Sequence, residues 1–331
     1  MWKMKTDKKK FTFFALFTII IIIVSVIVSL IVQERIARTE SISGIAATAD
    51  SVWMIEGNRI IRYSHKGMML SSFTFNNIFS SIYSGKTEIY AYSSRNQAVY
   101  RIDRYGSAAF SASIKEPVCM FIDDKGIYSI SSGEKTCLLT GFNGKKLAEF
   151  QIRPKASGFV WYGNEVCIAY EGSNNIYSLT GRVVVAVDNL PQGYSILQGN
   201  LYQGDLFFLA AQQKGGDYYY ARFFSYSPAS KTLKESNKRY ITPIYMTSAK
   251  GNWFIASNLE NSVDMYSSKG DYKGKFGDDD FLRDHAKMFL TRKRFIIIGV
   301  IMNTIVILSF IASIYIYFAS RRLKDKEPTD V

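Results

Sequence analysis

The chain has 331 residues, 47% hydrophobic and 15% aromatic, with 41 Lys and Arg against 28 Asp and Glu for a net charge of +13. So basic a balance raises nucleic acid as a partner, but residues 35–291 hold 29 basic and 23 acidic side chains, a net of only +6. The rest of the excess flanks two apolar runs, which is the charge pattern of membrane-spanning segments and not of a nucleic-acid surface.

Taken in order, residues 1–10 carry Lys3, Lys5, Lys8, Lys9 and Lys10 and read as a cytoplasmic tail. Residues 11–32 follow, 22 positions without Asp, Glu, Lys or Arg. At about 1.5 Å per residue, such a run crosses a hydrocarbon core of about 30 Å as a helix, which satisfies its own backbone in lipid. A cleaved signal peptide is the rival reading. The run exceeds the usual apolar region of about 7–15 residues, and Gln33-Glu34-Arg35 stands where a small-x-small cleavage site belongs, so an uncleaved signal anchor fits better. Residues 33–41 form a short stalk in which only Arg35 and Arg38 are basic, which places both termini in the cytoplasm and the central domain outside.

From residue 42 the pattern changes to short runs rich in Val, Ile, Tyr, Phe and Ser, separated by Gly, Asn, Asp and Ser, as strands require. The runs repeat. Asn58-Arg-Ile-Ile-Arg-Tyr-Ser-His-Lys-Gly67 returns as Ala98-Val-Tyr-Arg-Ile-Asp-Arg-Tyr-Gly106, Thr136-Cys-Leu-Leu-Thr-Gly-Phe-Asn-Gly144, Asn175-Ile-Tyr-Ser-Leu-Thr-Gly181 and Ser262-Val-Asp-Met-Tyr-Ser-Ser-Lys-Gly270. The closing glycines are 39, 38, 37 and 89 residues apart, so one further unit fits before the last, around Phe223-Phe-Ser-Tyr-Ser-Pro228. Six units of about forty residues, each of four short strands, predict an all-β fold, a six-bladed β-propeller over residues 42–277 flanked by two transmembrane helices. In a representative unit the strands are expected at 117–123, 126–131, 135–142 and 145–152, with a first inner strand at 44–49 and a final strand at 271–276.

Val99-Tyr-Arg-Ile-Asp-Arg-Tyr-Gly106 and Arg59-Ile-Ile-Arg-Tyr-Ser-His-Lys-Gly67 resemble the third strand and turn of NHL-type six-bladed propellers. That resemblance implies the fold and a group that mostly binds other macromolecules. It carries no site residue over. The aspartate of the motif is matched only by Asp103, and the fifth unit carries an insertion at 212–219.

Cys119, Cys137 and Cys167 lie in apolar strand contexts and read as buried small side chains, with a Cys119–Cys137 bridge as the minority alternative. Trp53, Trp161 and Trp253 fall in inner or second strands and read as core. No Asn-x-Ser/Thr sequon occurs, which suits a bacterial envelope. Asp278, Asp279 and Asp280 predict a helix start for residues 278–294, with a metal site in the same run as the weaker alternative. Residues 295–320 are the second span, 26 positions without a charge, ahead of Arg321, Arg322, Lys324 and Lys326 in a cytoplasmic tail at 321–331. Arg292, Lys293 and Arg294 on the opposite end weaken the charge asymmetry of this span.

Only His65 and His285 are available as histidines, and no zinc-protease, nucleophile-elbow, Walker or dinucleotide motif occurs. No catalytic residue, metal or cofactor is expected. The leading reading is a membrane-tethered extracytoplasmic binding or scaffolding module for a protein or cell-envelope glycan. An envelope hydrolase using carboxylates in the propeller axis and an accessory subunit of a membrane complex are the alternatives. Partner contact is expected at Lys66, Arg104 and Lys269, on the turns between third and fourth strands and away from the membrane. The spans are expected to pack through Ser25 and Ser29 against Gly299 and Asn303, because small residues let helices approach and an intramembrane Asn seeks a partner. That helix pair is also expected to hold shut a ring whose first and last units share no strand.

Overall fold

The structure, a computed structural model, describes residues 16, 19–32, 41–85, 88–131, 133–214 and 217–324. The expected N-terminal tail, the first residues of the first span, the stalk up to residue 40 and residues 325–331 lie outside the described residues. The chain forms two compact units, Ser41–Lys287 and a second one made by the segments on either side of it in sequence.

Ser41–Lys287 is an all-β propeller. Its first antiparallel sheet is β1 (Ile42–Ala47), β2 (Val52–Glu56), β3 (Arg59–Tyr63) and β4 (Met69–Thr74), and its second is β5 (Ser81–Ser84), β6 (Ile89–Ser93), β7 (Ala98–Ile102) and β8 (Ala108–Ser113). The third is β9 (Pro117–Ile122), β10 (Ile127–Ser131), β11 (Thr136–Thr140) and β12 (Lys146–Gln151), each within two residues of the expected bounds. The chain continues through β13 (Ala156–Tyr162), β14 (Glu165–Tyr170), β15 (Asn175–Ser178), β16 (Val183–Ala186), β17 (Tyr194–Tyr202), β18 (Asp205–Lys214), β19 (Asp217–Ser227), β20 (Thr232–Glu235) and the short β21 (Tyr240–Ile241). The last sheet is β22 (Ile244–Ala249), β23 (Asn252–Ser257), β24 (Ser262–Ser267) and β25 (Tyr272–Lys275).

The expectation of uniform four-stranded units needs correction between β13 and β21. These nine strands form one sheet because β13 and β17 pair in parallel, Phe159 with Gln198 and Trp161 with Asn200. Gly158 permits this: a Cβ there would lie 1.8 Å from the Leu197 carbonyl oxygen, so any side chain would force the strands apart. Ser157 Oγ adds a 2.7 Å hydrogen bond to the Ile196 carbonyl. The insertion expected at 212–219 lengthens the β18–β19 hairpin, with residues 215 and 216 outside the described residues.

Burial follows position in the sheet. Second strands such as VWMIE and IYAYS are buried at every residue, since both faces meet a neighbouring sheet, whereas the outer strands MLSSFT and KLAEFQ bury at most alternate positions. In β2, Val52 and Met54 join the cluster toward the last sheet, while Trp53 and Ile55 join the one toward the second sheet.

Among the described residues no strand crosses from the first sheet to the last. The seam between them has contacts of its own, beyond the helix pair that the sequence suggested. Ile42, Ile45, Met54, Ile61 and Tyr63 pack with Phe254, Val263, Phe276 and Phe281. Ile42 N–H donates to Asn261 Oδ1 at 3.0 Å, and Asn258 Nδ2 donates to the Ile42 carbonyl at 2.9 Å.

The described residues include two helices, α1 (Ile19–Val32) and α2 (Asp279–Lys324). Asp278 caps α2, its Oδ1 accepting the Phe281 N–H at 2.8 Å. The expected juxtamembrane helix and second span are one uninterrupted helix. Among the described residues one helix is long and apolar enough to cross a membrane, Asp279–Ala312, and the described part of α1 is shorter.

Candidate ligand-binding site

The strands β1, β5, β9, β13, β17 and β22 wall a cavity of about 450 Å³. Neighbouring walls are tied by side chains. Ser84 Oγ accepts the Ala47 N–H at 2.9 Å, and the Gln198 amide donates to the Met246 carbonyl at 2.8 Å while accepting its N–H at 3.3 Å. Phe121 from β9 stacks on Trp161 from β13, centroids 5.8 Å apart and planes 15° apart, and both line the cavity half-buried. Asn200, Thr247, Ser248 and Ser81 supply neutral polar groups around them.

Among the described residues the lining has one carboxylate, Asp123, and no His, Lys or Arg. Asp123 Oδ1 is engaged by the backbone N–H groups of Lys125 and Gly126 at 2.8 and 3.1 Å, which shapes the β9–β10 turn. Burial pushes the Cys119 thiol up to about 12, and Tyr83 rises to about 12, again chiefly through burial. At neutral pH Cys119 and Tyr83 are therefore uncharged, and the described lining combines aromatic rings, neutral polar groups and one carboxylate. All three cysteines are free thiols, so the Cys119–Cys137 bridge does not form. No cluster of three His, Cys, Asp or Glu able to hold a metal occurs among the described residues.

Sequence reasoning did not single out these lining residues, and it placed Trp161 in the core. The available signal was the pair Gln198 and Asn200, amides two apart on an otherwise apolar strand, readable once β17 is known to be innermost.

Lys66, Arg104 and Lys269 are exposed on the turns after β3, β7 and β24. Arg104 lies over its neighbour Tyr105, 4.7 Å from the ring centroid, and donates to its hydroxyl at 2.6 Å. The turns share one construction. The N–H groups of Gly67, Gly106, Gly144, Gly181 and Gly270 bond to the carbonyls of Ser64, Asp103, Gly141, Ser178 and Ser267, at 2.9 to 3.1 Å. Each glycine has φ between 77° and 89°. Asp103 Oδ1 accepts from the N–H groups of Tyr105 and Ser107, and Ser64, Ser178 and Ser267 do the same work with a hydroxyl. Asp and Ser thus serve the same turn chemistry at this position of the repeat.

In the second unit, Ser29 Oγ donates to Asn303 Oδ1 at 3.2 Å, and a Cβ on Gly299 would sit 3.3 Å from Val32. The register pairs 29 with 303 and 32 with 299, so α1 and α2 run antiparallel here. Ser25 is buried. Cysteines replacing Ser29 and Asn303 are expected to cross-link within one chain under mild oxidant. Dimers alone on a non-reducing gel would overturn that pairing.

A second polar cluster flanks the last sheet. Asp264, 1% exposed, meets Lys238 Nζ at 2.5 Å and the Tyr240 hydroxyl at 2.8 Å, and Lys238 also pairs with Glu260 at 3.0 Å. These charges satisfy one another and fasten the segment before β21 to β24, which is a structural role.

No protein-family model matches the sequence, and no curated protein matches it. Among solved structures, a Bacteroides thetaiotaomicron protein of unknown function is similar at 10% identity over 69% of each chain, with a TM-score of 0.50. Virginiamycin B lyase from Staphylococcus aureus aligns at 12% identity over 73% of this chain and 86% of its own, with a TM-score of 0.45. PorZ, a surface component of the type-IX secretion system of Porphyromonas gingivalis, aligns at 12% over 72% of this chain and 38% of its own, with a TM-score of 0.47. The first of these speaks for the propeller fold and for no activity.

Proposed function

We propose that the chain is a membrane-tethered, six-bladed, NHL-like propeller that binds or scaffolds a protein or cell-envelope ligand outside the cytoplasm. The observation that carries this reading is the axial cavity, walled by six inner strands and lined, among the described residues, by one carboxylate, where glycoside hydrolysis uses a pair. The blade count is supported by the two halves of the nine-stranded sheet, β13 to β16 and β17 to β20, each repeating the order of the four-stranded sheets. The tether rests on the two apolar runs and on the basic residues beside them. On this reading both termini are cytoplasmic, the partner is a protein or glycan together with the bilayer, and Lys66, Arg104 and Lys269 contribute to a macromolecular contact.

Cross-linking the full chain in its native membrane and recovering what is attached tests this. Reversing all three charges together (Lys66→Glu, Arg104→Glu, Lys269→Glu) is expected to cut recovery of a specific partner several-fold, because rim charges steer association. Unchanged recovery would remove the turns from the contact. Absence of any specific cross-link, from wild type and variant alike, would remove the macromolecular-partner reading.

A further inference from the structure

Resting on that reading of the axis as a ligand site, we infer that the cavity takes an uncharged sugar ring, stacked on the Phe121–Trp161 pair and hydrogen-bonded by Asn200. Size, charge and the disposition of neutral donors converge on this class. The volume of about 450 Å³ lies within the range of small-molecule sites, about 300–1,000 Å³. A charged ligand entering would lose its hydration and find no basic side chain among the described lining residues, and the acidic group among them, Asp123, already has an oxygen committed to a turn. A neutral ligand avoids that cost.

The walls also fit a ring with one apolar face and a polar rim. Trp161 is locked in plane by Phe121 on one side and stands beside Asn200 through the parallel register of β13 and β17. The C–H face of a pyranose covers such an indole, leaving its hydroxyls pointing outward, and those hydroxyls need partners that both donate and accept. Gln198 is already consumed in tying β17 to β22. Asn200, Thr247 and Ser248 line the same cavity and make no side-chain hydrogen bond among the described residues, so their amide and hydroxyl groups are available. A purely apolar ligand would leave those polar groups unmatched, which costs affinity.

The test uses the full chain in lipid nanodiscs, which avoids sugar-headed detergents, and isothermal titration with N-acetylglucosamine, glucosamine and N-acetylneuraminate. The neutral sugar is expected to bind, and the cationic and anionic sugars at least about tenfold more weakly. Asn200→Ala and Trp161→Ala should each weaken N-acetylglucosamine by about tenfold, while Trp161→Phe, which keeps a flat ring, retains most of the binding and controls for folding. Equal binding of charged and neutral sugars overturns the neutral class, and binding indifferent to both Asn200→Ala and Trp161→Ala overturns the location. Failure of N-acetylglucosamine to bind at millimolar concentration overturns the sugar assignment, whereas the broader reading fails only if no specific macromolecular partner cross-links either.

Discussion

Replacing His285 by alanine is expected to lower the unfolding free energy of the propeller by up to about 3 kcal/mol, the lower end of the cost of breaking a buried ion pair, since Glu56 keeps Tyr63 and Arg59 as partners. His285 sits on the second turn of α2, and its Nε2 is 3.0 Å from Glu56 Oε1 at the end of β2; the side chains are 7% and 3% exposed. Its Nδ1 faces the Phe281 carbonyl at 2.9 Å, which can only accept, so that nitrogen carries a proton. Glu56 Oε1 also accepts from the Tyr63 hydroxyl at 3.3 Å, and Arg59 lies 3.6 Å from Oε2, so the second proton sits best on the imidazole. Burial of the ring acts to lower its pKa, but the hydrogen bond and charge of Glu56, the Phe281 carbonyl and Asp284 outweigh it and hold His285 above its ordinary 6.5. The pair therefore stabilises fully below about pH 6.5 and loses its contribution as pH rises through the elevated value. Urea unfolding across pH should show the wild type weakening above neutrality, and Glu56→Gln should flatten that slope. A wild-type slope that persists in Glu56→Gln would assign the dependence to another group.

Much of the fold was legible in the chain because a propeller writes its strands locally. Four short strands and a glycine turn recur every forty residues, and the third sheet lies within two residues of its expected bounds. The parallel join of β13 to β17 was not legible, since it depends on Gly158 and a neighbour, Leu197, that is distant in sequence. The Glu56–His285 pair spans 229 residues and brings together two elements that no periodicity connects. The candidate site failed to announce itself for a related reason. Its residues are ordinary strand residues drawn from six inner strands far apart in sequence, and only their assembly makes Phe121, Trp161 and Asn200 neighbours.

Gly67→Ala is expected to destabilise the propeller far more than Gly181→Ala, although both occupy the same turn. The two glycines have φ of 89° and 85°, so each substitution carries the left-handed backbone cost of an L-residue, about 1–2 kcal/mol. Around Gly181 nothing lies within 4 Å of the added Cβ, and the cost ends there. At Gly67 the Cβ would stand 2.2 Å from Gly277 Cα and 2.6 Å from its nitrogen, backbone atoms that cannot rotate away. Gly277 has no slack to give, because a Cβ on it would lie 2.2 Å from the Phe281 ring. Phe281 in turn packs edge-on against Tyr63, 5.2 Å between centroids, inside the cluster that joins the first and last sheets. The methyl group must push apart the seam between the first and last sheets, adding the overpacking cost of about 1–3 kcal/mol. Urea midpoints of the two variants should thus differ by the equivalent of about 2 kcal/mol. Equal losses at the two positions would mean that the seam yields freely, and that the ring is held shut by something other than the close approach of Gly67 to Gly277.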